Sequence, residues 1–516
     1  FIVGQNDFMA WSITLLMADD TDFFLEQENP NDRSMYVVDS VKNEAVYQPF
    51  SVDRQRIKVS NGDEEILTIR STKHGPIISD IYPNDSLIAN RQIALKWAGL
   101  EPGTDARAFH MLNWASDFQE FQDAVHYLDI PALNFTYADQ AGNIGLFSRG
   151  RVPIRDGKGV QLRKGWKPEN DWRGYIPREE LPETINPDKG WVANANNPVV
   201  DDNYPYHITS YWEPPSRIDR IRAYLNSNES YTLQLFRTMQ NDTYSQHARE
   251  LTQLILPILN RPEFREEFAT IISYLRNWDY SYEPRETAAS ILDVFFLKLS
   301  RNILEDDMGK EAYNRFIRVA NLPVRTVNYL LKEAPESVIF DDRNTPETEY
   351  RAQMIVRSMR EAKKFLTQNY GSEPYEWRWE QLHTITLAPQ VFSRAAEDSS
   401  SGRLTRLIVN NLLSKGPYPV RGHGMSLNNG HYRWNDPFEM VLGPSIRRIV
   451  DLGNLSYTYS ILPTGQSGNP LSENFGDQTN LWLTGQYRTF YQDSSFFEDR
   501  SYQSMKLLPA SASASD

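Results

Sequence analysis

The chain has no cysteine among its 516 residues, which excludes disulfides, thiolate zinc sites and a cysteine nucleophile within it. A cysteine-free chain suits both oxidising and reducing surroundings, so this absence does not fix the compartment. No apolar run approaches the ~20 residues that a bilayer-spanning helix needs; SILDVFFLKL is among the longest and carries charge. Positive charge is in deficit. The 54 Lys and Arg face 68 Asp and Glu, for a formal net charge of −14, and nucleic acid needs a basic face. HExxH, a GxSxG elbow and GxxxxGK[ST] are all missing, and Ser467 in GQSGN is out of frame for an elbow. FIVGQNDF lacks an initiator Met and a signal-peptide pattern, so the gene product is expected to begin upstream.

What is present is the composition of a folded protein, 40% hydrophobic and 24% charged. Residues 1–216 are rich in strand signals. IKVSNGDEEILTIRST (57–72) alternates around Asn61-Gly62, a hairpin signature, and LNFTYADQAGNIGLFSRGRVPI (133–154) does the same around 139–143. One helical patch, FQEFQDAVHYL (118–128), interrupts them. Over 217–375 the period becomes 3.6, in RIDRIRAYL, HARELTQLILPILN, EFREEFATIISYLRNW, TAASILDVFFLKLSRNIL and TEYRAQMIVRSMREAKKFL. Strand-like HTITLAP, SIRRIVDLG and SYTYSILP return over 376–505, and 506–516 is a small, polar tail. This order predicts an α+β chain: one sheet-containing core with a helical insertion, the last strands returning to that β core, since they would otherwise lack a partner sheet.

Three features carry candidate chemistry. WVANANNPVVDDNYPYHI (191–208) sets Asn194, Asn196 and Asn197 where a strand end runs into a loop. Side-chain amides can face an oxyanion without titrating, although Asn clusters beside Pro ordinarily bond their own turn. The period of two puts Asn194 and Asn196 on one face. ADDTDFF (18–24) gathers Asp19, Asp20 and Asp22, which suits a hard cation or, more plainly, a helix cap or solvated turn. The eight histidines are scattered; His74 in KHGPII and His423 in RGHGM read as turn residues. The aromatics suit a pocket for an apolar or sugar ligand, but a glycosidase pair among so many carboxylates has no sequence signal.

Taken together, VGQNDFMAW, TKHGPII, YADQAGNIGLFSRGRVPIR, GWVANANNPVVDDNYPY, WEPPSRIDRI, LGPSIRRIVDLG and LPTGQSGNP, in this order, resemble the large (β) subunit of the penicillin acylase family of N-terminal-nucleophile (Ntn) hydrolases. The resemblance runs from about residue 3 to residue 490. It implies a four-layer αββα sandwich with a helical insertion, and a precursor that cleaves itself into a small (α) and a large subunit. It also implies periplasmic or secreted location and an amidohydrolase acting on β-lactam antibiotics, N-acyl homoserine lactones or similar N-acylated molecules.

The family's nucleophile is the N-terminal Ser of the large subunit, its own α-amine serving as base. That subunit starts several tens of residues before VGQND, so this chain is expected to be a piece lacking the nucleophile, and inactive alone. The rival expectation is a non-catalytic binding or scaffold homologue of the same fold. By the same match Asn196 is the side-chain oxyanion donor, Leu15 gives the backbone N–H (Leu16 one register away), and Arg217 organises the site. Asp19, Asp22 and the Thr21 carbonyl match calcium ligands. Ile208 stands near the place where a further Asp is expected, and another ligand would come from the small subunit.

Overall fold

The computed structural model describes residues 2–492 apart from 42–43, 60–61, 83–84, 86–87, 89, 228–229, 320 and 389–412. The tail, 506–516, lies outside the described residues. MAWSITL alternates in polarity and forms the strand Met9–Leu15. Gly4–Gln5 pairs along one edge and Leu133–Asp139 along the other, and the antiparallel sheet continues through Ile144–Arg149 to Glu183–Ile185. Side chains alternate between the faces of a strand. Met9, Trp11, Leu133, Phe135, Tyr137 and Phe147 accordingly share a face and are buried against Leu112, Phe121 and Val125. Those three come from the helices Asp105–Trp114 and Phe118–His126. The opposite face carries a polar rung: Thr14, Asn134 and Ser148 stand directly across from one another in the register.

Both expected hairpins form. Ile144–Arg149 returns after Gly142 at φ 93°, and Ser51–Lys58 pairs with Glu64–Thr72. Among the described residues the first part holds two α-helices where the sequence suggested one. Asp105–Trp114 buries only Ala108 and Leu112, too thin a stripe to read as a period.

The segments with a 3.6 period become Ser216–Asn226, Gln246–Leu259, Ala269–Asn277, Thr287–Met308 and Arg351–Tyr370, joined by the unexpected Leu233–Gln240, Lys310–Phe316 and Asn321–Lys332. Thr287–Met308 is buried on every side from Thr287 to Phe296, as a helix at the centre of a bundle must be. No described helix is long and apolar enough to cross a membrane.

Among the described residues the returning strands form a four-stranded sheet and a three-stranded sheet of their own. Short connections pair His431–Arg433 with Asp436–Leu442 and Arg447–Ile449 with Tyr457–Ile461, and the other pairings join strands more than 25 residues apart. They reach the first sheet through side chains instead: Arg448 Nη2 donates to Gln5 Oε1 at 3.0 Å, and Gln5 Nε2 donates to Gln492 Oε1 at 3.1 Å.

Candidate active site

The polar rung holds the asparagine segment over the sheet. Asn194 Oδ1 accepts from Thr14 Oγ1 at 2.7 Å, from Asn134 Nδ2 at 3.3 Å and from the Asn196 N–H at 2.8 Å. Ser148 Oγ donates to Asn134 Oδ1 at 2.8 Å, which turns the donor end of the Asn134 amide towards Asn194. Asn134 and Ser148 were missed in the sequence. Asn134 alternates with apolar neighbours in LNFTY, which marks a strand but names no partner for the amide, and LFSR does not alternate at Ser148.

Residues 194–197 are not a strand, so Asn194 and Asn196 do not share a strand face. Asn196 sits at φ 61°, a left-handed conformation that asparagine tolerates, and this sends the two amides different ways. Asn194 points into the sheet. Asn196 Nδ2 donates to the Leu15 carbonyl at 3.0 Å, while its Oδ1 accepts from Arg217 Nη2 at 3.3 Å. Asn197 does ordinary turn work, accepting the Ala195 N–H at 3.0 Å and donating to the Pro198 carbonyl at 2.8 Å.

Arg217 enters from the first turn of Ser216–Asn226. Its Nη2 lies 3.3 Å from Glu213 Oε2, and the Glu213 N–H donates to the Asn196 carbonyl at 3.1 Å. Asn321 Nδ2 donates to the other Glu213 carboxylate oxygen. Asn196, Glu213 and Arg217 thus close a ring of contacts that fixes the Asn196 amide with its N–H₂ towards Leu15. Glu213 was also missed: it lies on the loop before the helix Ser216–Asn226, where helical spacing does not apply.

The register decides between the two backbone candidates. The Leu16 N–H donates to the Ala132 carbonyl at 3.0 Å, so Leu16 is occupied. Successive residues of an antiparallel strand turn their N–H and C=O to opposite edges, which directs those of Leu15 away from Leu133–Asp139. Gly4–Gln5 covers that edge only opposite Ala10 and Trp11. Among the described residues no strand lies beside Ile13–Leu15. The Leu15 peptide and the Asn196 amide therefore meet on an open strand edge, two neutral donors of the kind that can face a developing oxyanion. A groove of about 950 Å³ opens nearby, lined by Trp212, Glu213, Pro214, Arg325 and Tyr329 among others.

Asp19 and Asp22 also come together, but around guanidinium groups. Arg155 Nη2 is 2.8 Å from Asp19 Oδ2 and donates to the Asp19 carbonyl at 2.5 Å, while Arg155 Nε is 3.2 Å from Asp22 Oδ2. Arg163 Nε lies 3.3 Å from Asp22 Oδ1, and Trp172 Nε1 donates to Asp22 Oδ2 at 2.6 Å. Burial pushes the Asp19 carboxyl above its ordinary range against the pull of Arg155, and burial holds the nearby His207 imidazole down. The Thr21 carbonyl lies on the strand edge away from Gln92–Trp97, because Asp20 takes the Ala98 N–H. Ile208, where a further carboxylate was expected, is an apolar residue, 3% exposed, whose carbonyl accepts the Asp19 N–H at 2.8 Å. Two carboxylates already neutralised by two arginines do not fit calcium, which takes 6–8 oxygen ligands.

His74 is more than a turn residue. It is buried, with Nδ1 2.6 Å from Glu26 Oε1 and Nε2 2.8 Å from Asp171 Oδ1, and its ring stacks on Phe24. His423 does shape a turn through Ser426, and its Nε2 also reaches Asp293 at 3.3 Å.

Residues 1–497 match the model of the penicillin amidase family. The chain is 27% identical to the acyl-homoserine lactone acylase QuiP of Pseudomonas aeruginosa, over 98% of its own length and 62% of that protein. It is 26% identical to a penicillin acylase 2 proenzyme of Pseudomonas sp., over 93% of itself and 58% of the relative. It thus spans about three fifths of the length of these relatives. The structure superposes on a thermostable penicillin G acylase from Alcaligenes faecalis with a TM-score of 0.72, covering 99% of this chain and 90% of that one at 16% identity. The fold is therefore the α+β fold of that acylase, and by the family match over nearly its whole length the chain belongs to the penicillin amidase family.

Proposed function

We propose that the chain is the large-subunit portion of an amidohydrolase that cleaves the amide bond of N-acylated small molecules, β-lactams or N-acyl homoserine lactones among them. The observation that carries this reading is the convergence of the Asn196 amide and the Leu15 peptide on an uncovered strand edge, 3.0 Å from Asn196 Nδ2 to the Leu15 oxygen. A strand bearing an N-terminal Ser and adding to that edge would bring its hydroxyl to these donors. The hydroxyl attacks the amide carbonyl while the free α-amine, with a pKa of about 8, takes the proton. The oxyanion displaces the Leu15 carbonyl as partner of the Asn196 N–H₂; its collapse breaks the C–N bond, the α-ammonium returns its proton to the departing amine, and water then releases the acid from the acyl-enzyme. Arg217 holds Asn196 and does not titrate. The groove beside Glu213 leaves room for an acyl or amine portion. A small subunit from the same precursor would complete the site, in the periplasm or outside the cell.

The test compares the complete precursor with these 516 residues alone, using chromogenic N-acyl amides and both substrate classes. Turnover by the complete protein and none by the chain alone is expected. Substantial turnover by the chain alone would remove the nucleophile from the scheme, and an inert complete protein would favour the scaffold homologue.

A further inference from the structure

We propose that the acidic cluster at Asp19 and Asp22 is metal-free in this protein, with the Arg155 guanidinium, backed by Arg163, standing as a built-in cation where the family resemblance suggests calcium. The charges close without an ion: two buried carboxylates face two buried guanidiniums, all four side chains being at most 8% exposed. Space closes as well. Gly159 packs so tightly that a Cβ there would lie 2.0 Å from Asp19 Oδ2 and 2.5 Å from Arg155 Nη2. Asp19 Oδ2 and Asp22 Oδ1, the oxygens with no aligned hydrogen bond, are the two that a cation would seek. A calcium ion about 2.3–2.6 Å from them would stand against the guanidinium nitrogens at 2.8 and 3.3 Å. Like charges at that separation in a buried site repel strongly.

The donor set points the same way. Among the described residues no group of three or more His, Asp or Glu side chains is arranged to hold a metal ion, and Ile208 contributes no side-chain oxygen. Arg155 follows the hairpin Leu133–Arg149 and contacts both ends of the 19–22 segment, and Trp172 adds a neutral donor. The guanidinium therefore ties this segment to the loop after the hairpin, four residues from Leu15.

The complete, processed protein decides the matter, independently of its catalytic activity. After dialysis against EGTA and then against calcium chloride, elemental analysis is expected to find under about 0.1 calcium per molecule, with the same thermal midpoint in both states. Terbium luminescence excited through Trp172 is expected to be absent. One calcium per molecule, a midpoint that falls on chelation, or sensitised terbium emission would overturn the proposal. Arg155→Gln removes the charge at similar length and is expected to lower the midpoint by about 5 °C or more. A variant as stable as its parent would equally overturn it, and should the variant not fold, the metal analysis of the parent decides alone.

Discussion

Asn196 spends both ends of its amide on neighbours, donating to the Leu15 carbonyl and accepting from Arg217. If the proposed reaction holds, Asn196→Ala in the complete protein is expected to lower kcat by about 10²–10³ while leaving KM within a few-fold, the signature of a donor used in the transition state. Steady-state kinetics on a chromogenic amide check it. Glu213 bonds Arg217 and the Asn196 carbonyl, so in the proposed reaction its part is to position Asn196. Glu213→Gln keeps the N–H bond to Asn196 but discharges the partner of Arg217, so kcat is expected to fall about 3–30-fold with KM little changed. The conservative Glu213→Asp should recover part of that loss if the carboxylate is what matters. Of this constellation, Asn196 and Arg217 were legible because their segments carry the family pattern. Glu213, Asn134 and Ser148 were not, because an acid on a loop or a polar residue in a strand gains its role only when another element comes to meet it.

Among the elements, the strand Met9–Leu15 is the one on which the proposed function rests. Its inner edge is bonded to Leu133–Asp139, and among the described residues its outer edge has no partner strand from Ile13 onward, only the Asn196 amide at the Leu15 carbonyl. Unpaired strand edges invite another strand. Hydrogen–deuterium exchange should therefore find the Ile13 and Leu15 amides fast in the chain alone and protected in the complete protein, while Leu16 is slow in both. Equal protection in the two forms would contradict the added strand.

Elements with strong local instructions were readable in the sequence. Asn61-Gly62 marked one hairpin, Gly142 another, and the long periods of Gln246–Leu259 and Thr287–Met308 marked helices. Asp105–Trp114 and Asn321–Lys332 were not, the first because so little of it is buried and the second because its apolar residues follow Pro323. The pairing of the returning strands was not legible for a different reason: strand pairing depends on which partner lies nearest in space, and apolar alternation carries no address.

For the whole molecule, the helical core and the returning strands meet at a buried polar knot. Asp293 accepts from Tyr282 at 2.9 Å and from Tyr432 at 2.8 Å, with His423 Nε2 at 3.3 Å. Burial opposes its charge, yet His423 and the two tyrosines hold the Asp293 carboxyl below its ordinary range. Around it, burial pushes His247, His383 and His431 down to about 4. A histidine kept neutral when folded but free to charge when unfolded, at about 6.5, makes the unfolded state bind more protons in between. Stability is then flat above about pH 6.5 and declines as the pH falls from there towards about 4. Asp293 adds its own loss only below the ordinary carboxylate range. Urea midpoints at pH 7.5, 6 and 5 should fall in that order, and His431→Gln should flatten the trend. A midpoint independent of pH over this window would contradict the buried neutral histidines.

The left-handed turn at residue 196 has a consequence for engineering. A saturation library at this codon must satisfy two unrelated demands, a backbone dihedral of 61° and a neutral N–H₂. Glycine meets the dihedral but has nothing to donate. Aspartate tolerates it but sets a negative charge against the oxyanion, and glutamine keeps the amide at a backbone cost of about 1–2 kcal/mol. Selection for turnover should return asparagine from such a pool almost alone, so broadening the acyl range means mutating the groove walls and leaving this codon fixed.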